Sequence, residues 1–420
     1  MNNKKIKAIK AREILDSKGS PTIEVDLFAG KEIYRASVPS GVSAGKNEAT
    51  ELRDGGERYG GRGVTEAVRN INELIAAKII GQDAGKQKEI DELIIALDGT
   101  GNKSKLGANA LLAVSIAVSR AGAATEKMPL YQYLAKLSGN HNFVLPQPMI
   151  LVLEGGKHGS WASDLQEYMI IPKKEKFPRF ADALEAGTKI FSNLQKILLE
   201  KGYAIGVGYE GAPCPKEMKS NEEGFSLIVE AVGAAGFKMP LEVSLAADGA
   251  ASEFFEKGKY VLRSEGNKEL SSQEWIEKIV GWVDRYYLDS LEDMLGEEDW
   301  DNWQSLTRAL GQKVQIVGDD LLATNIKRIL KAASLKAANA VIIKPNQIGT
   351  VSETLAAIKS AQSNGLKTII SHRAGETNDD FIADLTVGTA AGQCKFGAPN
   401  RGERIAKYNR LLRIEEELGN

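Results

Sequence analysis

Five apolar runs in this sequence end on residues able to do chemistry. Leu241 to Ala247 runs into Asp248, Tyr286 to Leu291 into Glu292, Val314 to Gly318 into Asp319, Ala340 to Ile343 into Lys344, and Thr368 to Ile370 into Ser371-His372-Arg373. Counted to His372, the polar ends are spaced by 44, 27, 25 and 28 residues. Three carboxylates brought together repel one another unless a cation sits among them, and an all-oxygen set with room for water suits Mg²⁺ over Zn²⁺. Taken singly, each acid reads more simply as a helix cap or a surface charge. Their shared place at strand ends of one period is what points to a metal. Asp293 and Asp320, which follow directly, are expected to point elsewhere and to cap. Lys344, stripped of water beside a cation, is expected to have a lowered pKa and to act as a base; an ion pair with one of the carboxylates is the other reading. Lys395, in Gln393-Cys394-Lys395-Phe396-Gly397, would close the same cup. Two lysines and Arg373 facing one metal suggest an anionic substrate, and His372-Arg373 offers a fork of donors for phosphate.

The elements that must position these residues follow from the spacing. A strand, a helix and two loops occupy about 25 to 30 residues in an eight-unit barrel, whose active site lies at the C-terminal strand ends. The longer first interval leaves room for an excursion over Glu253–Gly266. Upstream, Leu165-Gln166-Glu167-Tyr168-Met169 puts Glu167 in an alternating strand, and Gly206-Val207-Gly208-Tyr209-Glu210-Gly211 puts Glu210 on a flexible turn. Paired carboxyls are the usual means of protonating a poor leaving group such as hydroxide. The stretches Gly155-Gly156-Lys157-His158-Gly159 and Ser40 to Gly45 read as mobile lids or as ordinary turns. Before the barrel, short alternating runs over Ile6–Ile14, Pro21–Phe28 and Ile33–Val38 predict an antiparallel meander. From Thr65 to about Leu137 the spacing turns helical. The expected organisation is an α+β unit over 1–138 and an α/β barrel over 139–420.

Composition bounds the partners. The chain has 420 residues, 43% of them hydrophobic, enough for a large core. Its 54 basic and 56 acidic residues leave a net charge of −2, which attracts neither nucleic acid nor an anionic membrane in bulk. Cys214 and Cys394 are too few for a disulfide framework, so a reducing, cytoplasmic setting is expected. No apolar signal core follows Met1-Asn2-Asn3-Lys4-Lys5. The most apolar stretch, Ala108 to Val118, is too short for a membrane span, contains Asn109 and Ser115, and reads as a core helix.

At this point the residues carry a family resemblance. The chain resembles the enolases over essentially its whole length. The resemblance lies in Arg12-Glu-Ile-Leu-Asp-Ser-Lys-Gly-Ser-Pro-Thr, Leu52-Arg-Asp-Gly, Leu97-Asp-Gly-Thr-Gly-Asn-Lys-Ser, Gly107-Ala-Asn-Ala, Gly318-Asp-Asp-Leu, Lys344-Pro-Asn-Gln-Ile-Gly, Ser371-His-Arg-Ala-Gly-Glu-Thr and Arg413-Ile-Glu-Glu-Glu-Leu-Gly. It implies an enolase-type (β/α)8 barrel that starts with an antiparallel hairpin, under an N-terminal α+β cap. It implies two Mg²⁺ sites: Asp248, Glu292 and Asp319 at the first, and Ser43 at a second, substrate-assisted one. Lys344 would remove the C2 proton of 2-phosphoglycerate. Glu210, supported by Glu167, would protonate the departing hydroxyl. Lys395 would hold the carboxylate, and His158, Gln166, His372 and Arg373 would line the substrate. The lysine base with Mg²⁺ is the handling of enolates known for this superfamily. The resemblance also implies a homodimer or a higher oligomer built on it.

The departures gather at the lids and at the phosphate end. Ala374 stands where the family has a serine, Glu154 where it has asparagine before Gly-Gly, Tyr209 where an aspartate precedes the turn glutamate, and Ala44 where threonine is usual. Ala212 replaces the second glycine after that glutamate, Trp161 makes the histidine loop bulkier, and Pro345 follows the base lysine. Besides a divergent enolase, two readings follow. One is a paralogue using the same enolate chemistry on another phosphorylated or phosphonylated carboxylate, as in carboxyphosphonoenolpyruvate synthases of phosphonate biosynthesis. The other is a non-catalytic binding protein, against which the retained Lys344, Lys395, Glu167, Glu210 and acidic trio count.

Overall fold

A computed structural model describes residues 4–41 and 45–419. Ser43 and Ala44 lie outside the described residues. The first strands form where alternation predicts them: β1 (Ile6–Leu15), β2 (Pro21–Ala29) and β3 (Glu32–Ser37) pair antiparallel in that order. Ile23, Val25 and Leu27 on central β2 are fully buried. A continuous helical stretch follows as α1 (Thr65–Arg69), a π turn (Asn70–Ile75) and α2 (Ala76–Ile79). Next come α3 (Gln87–Asp98), α4 (Ala108–Thr125) and α5 (Leu130–Ser138). Helix α4 packs on β2 and β3. It is apolar and long enough to cross a bilayer by composition, yet 83% of it is buried inside the protein. A helix that is apolar all round belongs in a core. Its polar residues are satisfied there: Asn109 bonds the backbone N and O of Leu52, each at 3.1 Å, and Ser115 donates to Asp91 at 2.7 Å.

The barrel strands are β4 (Gln147–Glu154), β5 (Glu167–Pro172), β6 (Val243–Asp248), and, after a small three-stranded sheet of β7 (Phe255–Glu256), β8 (Lys259–Leu262) and β9 (Lys268–Leu270), β10 (Leu288–Glu292), β11 (Gln315–Gly318), β12 (Ala340–Ile343), β13 (Lys367–Ser371) and β14 (Gln393–Lys395). They close in the order β4-β5-β6-β10-β11-β12-β13-β14. Strand β5 is antiparallel to both neighbours, and the other pairings are parallel. The helical layer is α6 (Phe180–Glu200), α7 (Asn221–Ala234), α8 (Ser272–Tyr286), α9 (Trp300–Leu310), α10 (Ile326–Leu335), α11 (Val351–Ser363), α12 (Phe381–Gly388) and α13 (Gly402–Glu417). The small sheet occupies the excursion predicted by the long first interval.

Register decides which residues reach the rim. Glu292 and Glu167 both pair with Asp248, Glu154 pairs with Glu167, and Ser371 with Lys395. Because β5 runs against its neighbours, its first residue, Glu167, meets the last residues of theirs. All six residues of β5 are buried, so the expected alternation is absent; helices cover the outer face of such strands and favour apolar residues there too. The N-terminal unit docks by capping a barrel helix. Asp91 accepts the Ser352 amide and Ser115 Oγ the Val351 amide, both at 2.9 Å, which satisfies donors in the first turn of α11. Lys103 to Glu353 and Arg120 to Asp379, both at 2.8 Å, fasten the same seam.

Candidate active site

The strand ends line one pocket, whose wall includes Glu167, Asp248, Asp319, Lys344, His372, Arg373 and Lys395. Lys395, the last residue of β14, is buried. Its Nζ donates to Asp248 Oδ2 at 2.9 Å and Glu292 Oε1 at 2.8 Å, and lies 3.2 Å from Glu167 Oε1. Burial opposes the Lys395 charge, but Asp248, Glu167 and Glu292 outweigh it and hold the ammonium well above its usual pKa. Burial, and then Asp248, pushes Glu292 well up; burial, and then Glu210, does the same to Glu167. Asp319 follows β11 and Lys344 follows β12, and the two form an ion pair. Burial alone would lower the Lys344 pKa, but Asp319 more than offsets it and the net shift is upward. The expected fall is absent because the charge nearest Lys344 is a carboxylate. Asp319 Oδ1 also accepts from Gln347 Nε2 at 2.9 Å, and Thr324 Oγ1 donates to Gln347 Oε1 at 2.6 Å.

Asp293 and Asp320 do not point elsewhere. The carboxylate oxygens of Asp293, Asp319 and Asp320 lie within 4.8 Å of one another, and all three residues line the pocket. Asp293 does cap, accepting the amides of Asp319 at 3.0 Å and Asp320 at 2.6 Å. Burial and its acidic neighbours push Asp293 well up, and burial with Asp319 pushes Asp320 up to about 8. The donor set fits a hard divalent cation. Asp248, Glu292 and Asp319 offer oxygen only, and among the described residues the buried Glu292 Oε2 has no hydrogen-bond partner.

A second cluster surrounds Glu210. Its Oε1 lies 3.2 Å from His158 Nδ1 and its Oε2 3.2 Å from His372 Nε2. Burial would raise the Glu210 pKa, but His372 and His158 outweigh it and hold the acid well below its usual range. His372 Nδ1 is 2.6 Å from Arg404 Nη1. Arginine only donates, so Nδ1 accepts, and the neutral ring's hydrogen is assigned to Nε2, facing Glu210. Burial, with Arg404 behind the ring, pushes His372 down to about 3. Arg404 is fully buried in α13 and also donates to the carbonyls of Arg373 at 2.5 Å, Ala374 at 2.7 Å and Tyr209 at 3.1 Å. Gly397 leaves the room for this packing: a Cβ there would lie 2.6 Å from His372 Cε1.

With the two clusters in place, the comparison with known families is decisive. The family model described as "Enolase, N-terminal domain" matches residues 6–134, and "Enolase, C-terminal TIM barrel domain" matches residues 142–420. The chain belongs to the enolase family. It carries the lyase scaffold of that family: the closed eight-stranded barrel with an N-terminal meander and helices.

Within this enolase-family scaffold the departures fall in two groups. Ala374 lines the pocket, and its methyl stands where the family has a hydroxyl. Tyr209 is half exposed and lays its ring edge against His158, centroids 6.1 Å apart. Trp161 does not reach the pocket. Its ring lies under the Arg263 guanidinium at 4.2 Å, and Lys157 pairs with Glu253 at 3.1 Å. These residues tie the histidine loop to the β7–β9 sheet. The stretch read as a mobile lid is a knitted loop, with Gly155 and Gly156 donating to the carbonyls of Gln166 and Ser163 at 2.9 Å. Gln166 lines the pocket, and its amide donates to the Asp248 carbonyl at 2.9 Å. Arg373 is held by Glu48 through two contacts of 2.7 and 3.2 Å and by Asn346 Oδ1 at 3.2 Å.

Four supporting residues escaped the reading of the sequence: Arg404, Gln347, Thr324 and Glu48. Arg404 had a signal. It shares a helical stripe with Lys407, Tyr408 and Leu411, all buried, so a cation stood on the face of α13 that periodicity assigns to the core. Gln347 and Thr324 act through hydrogen bonds between loops distant in sequence, which no local pattern reveals.

Proposed function

We propose that the protein is a Mg²⁺-dependent lyase that reversibly dehydrates 2-phosphoglycerate to phosphoenolpyruvate. The observation that carries this reading is the pairing of two proton-handling groups in one pocket: Lys344 beside the acidic trio, and Glu210 between two histidines. Lys344 Nζ takes the C2 proton, and Glu210, supported by Glu167, gives a proton to the departing C3 hydroxyl, which leaves as water. Glu210 must first take up that proton against the pull of His372 and His158, which outweighs burial and holds it ionised. Lys395 holds the substrate carboxylate, His158 and Gln166 line the substrate, and His372 and Arg373 face its phosphate. Asp248, Glu292 and Asp319 would hold one Mg²⁺ and Ser43 would contribute to a second site; bound there, the ions supply positive charge against the charge that develops on the substrate carboxylate. Lys344 must be neutral to accept a proton, so the charge of Asp319 has to be answered by another group during the reaction. That makes the base and the acidic trio interdependent.

A second reading is the same enolate chemistry on a different phosphorylated or phosphonylated carboxylate. Ala374 favours it, as does the hold of Glu48 on Arg373. Purified protein with Mg²⁺ and 2-phosphoglycerate, followed for phosphoenolpyruvate, separates the two. The first reading expects turnover that stops with a chelator and in Lys344→Ala. Mg²⁺ binding without turnover favours the second. Ala374→Ser is expected to lower KM by about tenfold or more, the worth of one hydrogen bond to a charged group. An unchanged KM would remove the phosphate from that position.

A further inference from the structure

Glu154 is the last residue of β4 and is fully buried. Among the described residues no lysine, arginine or histidine forms an ion pair with it. Its carboxylate instead spans the turn that carries Glu210: Oε1 accepts the Glu210 amide at 2.9 Å and Oε2 the Ala212 amide at 3.0 Å. The Glu154 amide donates back to the Pro213 carbonyl at 2.8 Å, and Gly208 donates to Ala212 at 3.0 Å. The strand end and residues 207–213 are therefore one hydrogen-bonded unit. Gly208 makes it fit, because a Cβ there would lie 2.6 Å from the Glu154 carboxyl carbon. Ligand atoms of Glu154, His158 and Glu210 all fall within 4.8 Å of one another.

A buried carboxylate without a cation is costly: burial, and then Glu210, pushes Glu154 up to about 8, against two backbone donors that each hold one of its oxygens. Asparagine, the residue usual at this position in the family, is one methylene shorter and has a single acceptor oxygen, so it cannot present a separate oxygen to each amide. We propose that Glu154 is the positioning residue for Glu210: by clamping the Glu210 and Ala212 amides it keeps the Glu210 carboxyl between His158 and His372, where it delivers its proton. This rests on the reading of Glu210 as the proton donor. The groups facing Glu210 are His158 from the loop after β4, Glu154 on β4, Glu167 on β5, His372 after β13 and Lys395 on β14, with Arg404 behind His372.

Glu154→Gln keeps the shape but turns an NH₂ toward one of the two amides. In the full chain with saturating Mg²⁺ and 2-phosphoglycerate, kcat for dehydration is expected to fall about tenfold or more while KM stays within about twofold. Exchange of the C2 hydrogen with solvent, which needs Lys344 and not Glu210, is expected to keep its wild-type rate. Gly208→Ala, which crowds the same carboxylate from the other side, is expected to raise the ratio of exchange to dehydration in the same way, so the test does not depend on one variant folding. A Glu154→Gln variant that dehydrates as fast as wild type would overturn the assignment, as would exchange and dehydration falling together. A wild-type protein that performs neither half-reaction would overturn the functional reading itself.

Discussion

The two clusters in the pocket balance charge by opposite means. Around Lys395 and Lys344, the carboxylates of Asp248, Glu292, Glu167 and Asp319 meet two ammonium groups. Around Glu210, one carboxylate meets two imidazoles and sits over a turn clamped by a second carboxylate, and the nearby Arg404 touches the His372 ring rather than the acid. The first cluster stands on strand ends fixed by barrel register. The second stands on loops after β4, α6 and β13, held together by α13. The difference teaches where each kind of chemistry is placed. In the proposed reaction, the dense charge that would accept a divalent cation stands on barrel strand ends, and the acid that would give up a proton stands on hydrogen-bonded loops.

This contrast can be broken at either end. Lys395→Met leaves three buried carboxylates without their shared cation. With Mg²⁺ chelated it is expected to cost about 3–5 kcal/mol of stability in urea unfolding, and clearly less with Mg²⁺ present; an equal loss in both conditions would mean that no metal replaces the ammonium. Arg404→Met at the other cluster strands three backbone carbonyls and His372 Nδ1. It is expected to cost about 3 kcal/mol, unchanged by Mg²⁺, and a Mg²⁺-sensitive loss would erase the distinction between the clusters. The third effect is one of pH. Burial depresses His372 from 6.5 to about 3 in the folded chain. Between those values the unfolded chain takes up a proton that the folded chain refuses, so this contribution is fully present above pH 6.5 and is lost as pH falls toward 3. In His372→Gln the thermal midpoint is expected to fall less steeply across that window. Parallel curves would show that the ring is not held neutral.

The same division governed what was legible in the sequence. Asp248, Glu292, Asp319 and Lys344 could be placed because a parallel barrel repeats its strand ends at a readable interval. The meander was legible for a similar reason: β1 to β3 alternate, and their ends fell within a residue or two of the predicted ones. Asp293 and Asp320 were misplaced because one residue past a strand end the chain turns, with Asp293 at a φ of 39°, and period-two reasoning no longer says where a side chain points. The Lys344 pKa was misjudged because it depends on which oxygen lies nearest, a matter of tertiary geometry. Arg404, Glu154 and Glu48 act by hydrogen bonds or ion pairs across long sequence separations. Their types were visible in the sequence, but their partners were not.

The central claim is that the lysine cluster removes the proton and the Glu210 cluster expels the hydroxyl. Its most direct test is to measure both half-reactions with 2-phosphoglycerate and Mg²⁺ in Lys344→Ala and Glu210→Gln. The account expects Lys344→Ala to lose solvent exchange at C2 and dehydration together. It expects Glu210→Gln to lose dehydration by roughly 10²–10⁴-fold while C2 exchange continues. Exchange that survives in Lys344→Ala, or disappears in Glu210→Gln, would contradict it.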